Sequence, residues 1–157
     1  MKRILSSLVI LCLLLIATNA FADLPEWLNT ESEFPIVKEG YDVTLSFAVS
    51  QNTYQGNWED IWAWKYIENE MNVKVEVTQV QNVSEWKQVA FASDDLPDVL
   101  VNMKLTPNEI VNYGQEEGML IPLDEYITKE LTPNMVLELE KDPYAKQLWT
   151  CTDGHIY

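Results

Sequence analysis

The chain has 157 residues, 47% of them hydrophobic, with 10 Lys+Arg against 25 Asp+Glu and a formal net charge of −15. That acidity argues against a phosphate-backbone binder, and the apolar and aromatic content argues against a disordered acidic tail. Two Cys and a single His, His155, leave no disulfide framework, no Cys-rich zinc site and no His-pair metal motif.

The first 22 residues read as an export signal. Lys2 and Arg3 form a positive start, Ile4 to Ala17 is an apolar run, and Ala20-Phe21-Ala22 is a small-x-small cleavage site. The run is too short for a spanning helix. Leu11 stands where a lipobox before Cys12 needs a small residue, so lipidation is not expected. Cleavage after Ala22 removes Lys2, Arg3 and Cys12, and the mature net charge becomes −17. Cys151 is then alone, and the product is expected to be periplasmic or extracellular.

Residues 23–41 contain Pro25 and Pro35 and no sustained period, which predicts an extended lead-in. Asp42 to Ser50 alternates, with Val43, Leu45, Phe47 and Val49 on one face, and predicts a first strand. Asn57 to Asn72 has helical spacing, with Asn57 as N-cap. Ile61, Trp64, Ile67 and Met71 make one stripe, and Trp58, Trp62 and Tyr66 make a second, so both faces are expected to be covered. Val73 to Val80 alternates Val73, Val75, Val77 against Lys74, Glu76, Thr78 and predicts a second strand.

Asn82 is expected to cap a helix from Val83 to Ser93 with Trp86, Val89 and Ala90 buried. Asp98 to Val101 predicts a short third strand, apolar enough for burial on both sheet faces. Thr106-Pro107-Asn108-Glu109 is a capping box with Pro at the first helical position, and Gly118 is the stop of that helix. Pro122 to Ile127 reads as a turn into a short helix, and Thr132-Pro133 opens a helix that Pro143 interrupts. Thr150 to Tyr157 reads as the start of a further strand, with Asp153-Gly154 at a turn.

Strands alternating with helices predict an α/β fold with a parallel sheet, whose ligands bind beyond the C-terminal ends of the strands. That rule selects Gln51, Asn52 and Tyr54 after the first strand, and Asn102 and Met103 after the third. Trp58, just beyond the same loop, is added because an exposed indole suits a sugar ring. Trp64 and Trp86, on helix stripes, are read as core.

No catalytic constellation stands out. The chain has no G-x-G-x-x-G, no G-x-x-x-x-G-K-[ST] and no G-x-S-x-G. Asp94-Asp95, Glu116-Glu117 and Asp124-Glu125 are adjacent pairs, which diverge and read as solvated surface. Cys151 lacks a partner His, and His155 reads as a turn residue. No catalytic residue, metal or cofactor is expected.

Three segments carry a resemblance. Ala92-Ser93-Asp94-Asp95-Leu96-Pro97-Asp98-Val99, Gly118-Met119-Leu120-Ile121-Pro122-Leu123-Asp124-Glu125-Tyr126-Ile127 and Asp153-Gly154-His155-Ile156-Tyr157 stand in this order. They resemble the "ASGDLPDV", "G-x-L-x-PLDDYI" and "DGKIYGLP" segments of extracellular solute-binding proteins of ABC transporters. The likeness is to family 1, the sugar-binding branch with its lipoprotein-like oligosaccharide binders. Asp94 replaces the Gly of the first segment.

The resemblance implies a periplasmic-binding-protein-like fold, with residues 42–157 forming the N-terminal segment of lobe one and a second lobe absent. It implies a sugar or oligosaccharide ligand, permease subunits in the membrane as partners, and binding without catalysis. As a truncated product, the chain alone is expected to be weakly stable and a poor binder. Two other readings remain at this point. One is a small secreted carbohydrate or protein interaction module, and the other is a fragment of a secreted polysaccharide-active enzyme. The three segments themselves do not mark ligand contacts.

Overall fold

The structure, a computed structural model, describes residues 24–52, 54 and 56–157. The expected signal segment lies outside the described residues. No described helix is long and apolar enough to cross a membrane.

The centre is a three-stranded parallel sheet of order β2-β1-β3, from β1 (Thr44–Ser50), β2 (Lys74–Val80) and β3 (Val99–Val101). Register puts Leu45 beside Val75, Phe47 between Val77 and Val99, and Val49 between Gln79 and Val101 on one face. Ala48 between Thr78 and Leu100, and Ser50 beside Val80, belong to the other. Successive strand residues point to opposite faces. Ala48 and Val49 are 0% and 1% exposed, so β1 is covered on both sides.

The sequence alternation of Leu45, Phe47 and Val49 reports one covered face. The second face is closed because Ala48 is small enough to let Val80, Met103, Val83 and Trp86 pack over it.

On the first face lies α1 (Trp62–Met71), whose Trp64 ring centroid is 6.1 Å from Phe47. The single helix expected from Asn57 is broken. A 3₁₀ turn covers Trp58–Asp60, Ile61 is extended (φ −80°, ψ 108°), and Asn57 makes no side-chain cap. In an unbroken helix Trp58 and Trp62 would share a face. The break turns Trp58 inward, 4.6 Å from Trp64 and 9% exposed, while Trp62 is 77% exposed. Trp62 and Tyr66 meet edge to face on the solvent side, so the second stripe is not covered as expected.

α1 ends at Asn72, which adopts the left-handed conformation and donates its side-chain amide to the carbonyls of Val37 and Lys38. This seats the lead-in, where Val37 is 1% exposed, under the base of the sheet.

α2 (Val83–Ser93) starts as expected, with the Asn82 side chain accepting the Glu85 N–H. Its buried residues are Lys87, Ala90 and Phe91, and Val89, expected inside, is exposed. Lys87 explains the rotation. Its ammonium reaches Glu109 at 2.7 Å and the Lys104 carbonyl at 3.2 Å, while Phe91 stacks on Tyr113 at 3.7 Å.

The capping box of Thr106 and Glu109 is present, on α3 (Pro107–Ile110). A π-helical turn (Val111–Glu116) continues it, and Gly118, at φ +67°, ends it in a backbone conformation that favours glycine. After a 3₁₀ turn at Asp124–Tyr126, α4 (Pro133–Lys141) and α5 (Pro143–Trp149) are divided at Asp142, whose carboxylate caps α5. The expected terminal strand is reduced to one antiparallel bridge, Thr150 with Ile156.

The three resemblance segments hold the fold together. The Asp98 carboxylate accepts the Ser46 N–H and hydroxyl at 2.8 and 2.6 Å, and Ser46 Oγ accepts the Asp98 N–H in return. Asp124 accepts the Ile156 N–H and meets His155 Nδ1 at 2.9 Å, joining the second segment to the third. The Tyr157 ring covers Gly114 so closely that an added Cβ would lie 2.8 Å from it.

The Lys87 ammonium and the Thr106 N–H hold the Glu109 carboxyl at a pKa of about 2, below its usual 4.5. A depressed carboxyl contributes stability above its unfolded pKa and loses it as pH falls through the folded value. Urea unfolding of the wild type is therefore expected to weaken between pH 4.5 and about 2, with a flatter profile for Glu109→Gln. At pH 7, Glu109→Ala is expected to cost about 2 kcal/mol. That is below the fully buried case, because its side chain is 28% exposed.

Candidate functional site

The sheet has two ends. At the N-terminal end of β1 and β2, a cavity of about 290 Å³ is lined by residues including Asp42, Glu68, Asn72 and Lys74. Its polar groups already serve the fold. Asp42 pairs with Lys74 at 2.7 Å, Glu68 accepts the Val75 N–H, and Asn72 holds the lead-in.

At the C-terminal end the backbone turns outward and leaves neutral polar groups at the surface. Gln51 is half-buried. Its N–H extends the sheet to the Val80 carbonyl, and its side-chain oxygen accepts from Gln81. Asn52 is exposed, and its side-chain oxygen accepts the Tyr54 N–H at 3.3 Å, an Asx-type turn that carries Tyr54 outward. Tyr54 is 96% exposed.

After β3, Asn102 and Lys104 both have φ near +50° and are exposed, while Met103 between them is 2% exposed and packs with Ala48 and Val80. The alternation has a simple cause. Met103 anchors the turn in the core, and its neighbours are thereby held outside. Met103 is therefore a support of this turn and offers no exposed contact. Lys104 adds an ammonium that was not expected here.

Trp58 is placed differently from the expectation. Its burial gives the indole no exposed face on which a sugar could stack. Its backbone N–H donates to the Gln79 side-chain oxygen at 3.4 Å. The indole Nε1 and the Gln79 Nε2 are both buried, and neither has an acceptor among the described residues. Gln79 was missed at the sequence level, although a signal existed. It is the polar residue that interrupts the Val75, Val77 face of β2.

The described residues show no group of three His, Cys, Asp or Glu placed to hold a metal ion. His155 is engaged with Asp124 and the Asp153 carboxylate accepts its N–H, far along the chain from the strand ends. Burial, and then the Asp153 charge, push the Cys151 thiol pKa up, which disfavours the thiolate a nucleophile needs. The strand-end groups are amides, a phenol and one ammonium, an assembly suited to hydrogen-bonding and ring contact with a neutral hydroxyl-rich ligand.

Two substitutions separate surface from support. Tyr54→Ala is expected to change the unfolding free energy by less than about 0.5 kcal/mol, because the ring makes no core contact. Trp58→Ala is expected to cost about 3–5 kcal/mol by opening a cavity against Trp64 and Phe47. Paired urea titrations check both.

No family model matches the chain. It is 33% identical over 92 residues to the fructooligosaccharide ABC transporter substrate-binding protein FusA of Streptococcus pneumoniae, a match covering 58% of this chain and 17% of that protein. A solved structure of the same pneumococcal protein in complex with kestose superposes with a TM-score of 0.67 at 28% identity, over 73% of this chain and 23% of the other. An extracellular solute-binding protein from Bifidobacterium longum subsp. infantis superposes at 0.65 and 24% identity, over 76% and 23%, and shows the fold alone. The chain thus spans about a fifth of the length of these relatives. Over that span it is similar in sequence to an ABC-transporter substrate-binding protein, and its fold is a partial periplasmic-binding-protein-like α/β lobe.

Proposed function

We propose that this chain supplies one wall of the saccharide site of an extracytoplasmic ABC-importer binding protein. The observation that carries the reading is the coincidence of two facts. The sequence relative is a fructooligosaccharide binder, and the C-terminal end of this sheet presents Asn52, Tyr54 and Asn102 as exposed neutral hydrogen-bonding and ring groups.

Side-chain amides donate to and accept from sugar hydroxyls, and an exposed phenol ring covers the apolar C–H face of a pyranose or furanose. Gln51, half-buried and tied to Gln81, sets the base of the loop. The amides of Asn52 and Asn102 and the Tyr54 ring suit binding and release of a ligand unchanged. The apolar run Ile4–Ala17 behind Lys2 and Arg3 supports export with cleavage after Ala22, and permease subunits in the membrane are the partners of the full-length protein. In this reading residues 42–157 are lobe-one sequence, and the two lobes of the whole protein close on the ligand by hinge motion.

Calorimetric titration of the full-length, two-lobed protein with a fructooligosaccharide such as kestose, alongside a panel of other neutral oligosaccharides, tests the reading. Asn52→Ala and Asn102→Ala are each expected to weaken binding about 3–10-fold, the range of one neutral hydrogen bond. Affinity left unchanged by both variants, or no heat with any saccharide, contradicts it.

A further inference from the structure

We propose that Lys87 is a positioning residue for the turn after β3. Its buried ammonium holds the backbone that carries Asn102 by tying the Lys104 carbonyl to the Glu109 carboxylate. The effect on saccharide binding rests on the saccharide reading above. The tether itself does not.

The connection from β3 to α3 is fixed at three points in succession. Met103 is 2% exposed and packs with Ala48 and Val80. One residue on, the Lys104 carbonyl accepts from the Lys87 ammonium at 3.2 Å. Two residues further, the Thr106 N–H donates to the Glu109 carboxylate at 2.7 Å, and the same carboxylate meets the Lys87 ammonium at 2.7 Å. Lys87 stands on α2 and is 8% exposed. A single buried cation thus ties α2 to the middle of the connection directly, and to its end through Glu109.

An ammonium has three donors and no acceptor, and burial is costly unless those donors are met. Glu109 supplies the opposite charge and the Lys104 carbonyl supplies a further acceptor. The Lys104 backbone therefore cannot move away without leaving a buried N–H short of a partner. Lys104 also has a φ of 52°, a conformation that residues other than glycine seldom adopt unless held there. Asn102, at φ 53°, is exposed and lies two residues before the tethered carbonyl. Its place at the end of the sheet is set by the buried Met103 and by this tether.

The test variant combines Lys87→Met with Glu109→Gln. It leaves no unpaired buried charge, and glutamine still closes the capping box with Thr106. In the full-length, two-lobed protein, affinity for kestose by calorimetry is expected to fall about 3–10-fold, with cooperative urea unfolding retained. In an Asn102→Ala background the same two substitutions are expected to change affinity less than about twofold, because the group they position is gone. Unchanged affinity in the folded variant overturns the positioning role. An equal loss in both backgrounds also overturns it, since a general loss of structure does not depend on Asn102.

The tether is read from the wild type alone. The Lys87 ammonium protons are expected to exchange with solvent at least about tenfold more slowly than those of the exposed Lys146, by nuclear magnetic resonance at low temperature and mildly acidic pH. Equal exchange rates overturn the tether, whether or not the variant folds. A wild type with slow Lys87 exchange that binds no saccharide leaves the tether standing and removes the importer reading, and the ligand role with it.

Discussion

Strand β1 is hydrogen-bonded along both edges and packed on both faces. Ala48 and Val49, adjacent in sequence, are both closed off from solvent. One looks toward α2 and the Met103 turn, and the other toward the aromatic group around Trp58 and Trp64. Two consequences follow. The strand cannot slip in register without exchanging its two side-chain sets. At its C-terminal end the backbone leaves both layers. The loop carrying Asn52 and Tyr54 and the turn carrying Asn102 and Lys104 are therefore held by the same core.

The segments that resemble the solute-binding family hold this frame. Asp98 fastens the entry of β3 to Ser46, and Asp124 fastens the second segment to the third through Ile156 and His155. Short hydrogen bonds from Ser46 hold the Asp98 carboxyl pKa below its ordinary value, as expected of a carboxylate accepting two donors. Asp153 does similar work at the other end, where its bond from the Tyr157 hydroxyl raises the phenol pKa to about 12. Such segments identify a fold and leave ligand choice to the loops between them.

Much of this was legible in the amino-acid order, and the misses share a cause. Period-two and period-3.6 patterns located β1, β2 and α2, a short apolar run located β3, and the expected caps Asn82 and Thr106 stand at real helix starts. What periodicity could not supply was the effect of one residue leaving its pattern. Ile61, extended, splits the expected helix and sends Trp58 inward and Trp62 outward. Lys87 rotates α2 by finding Glu109, 22 residues away, and strands Val89 on the surface. Both depend on contacts distant in sequence, which local spacing does not encode. At the strand ends, geometry alone selected Asn52, Tyr54 and Asn102. The burial of Met103 and Trp58 needed the packed core to be seen.

In the proposed reading the C-terminal end of the sheet is the ligand wall. Amide chemical shifts of the ¹⁵N-labelled full-length, two-lobed protein, followed while a fructooligosaccharide such as kestose is titrated to millimolar concentration, report on that wall. Saturable changes are expected at Gln51, Asn52, Tyr54, Asn102 and Lys104, with the opposite end of the sheet silent. Changes confined to the cavity around Asp42, Asn72 and Lys74, or none at all, would contradict it.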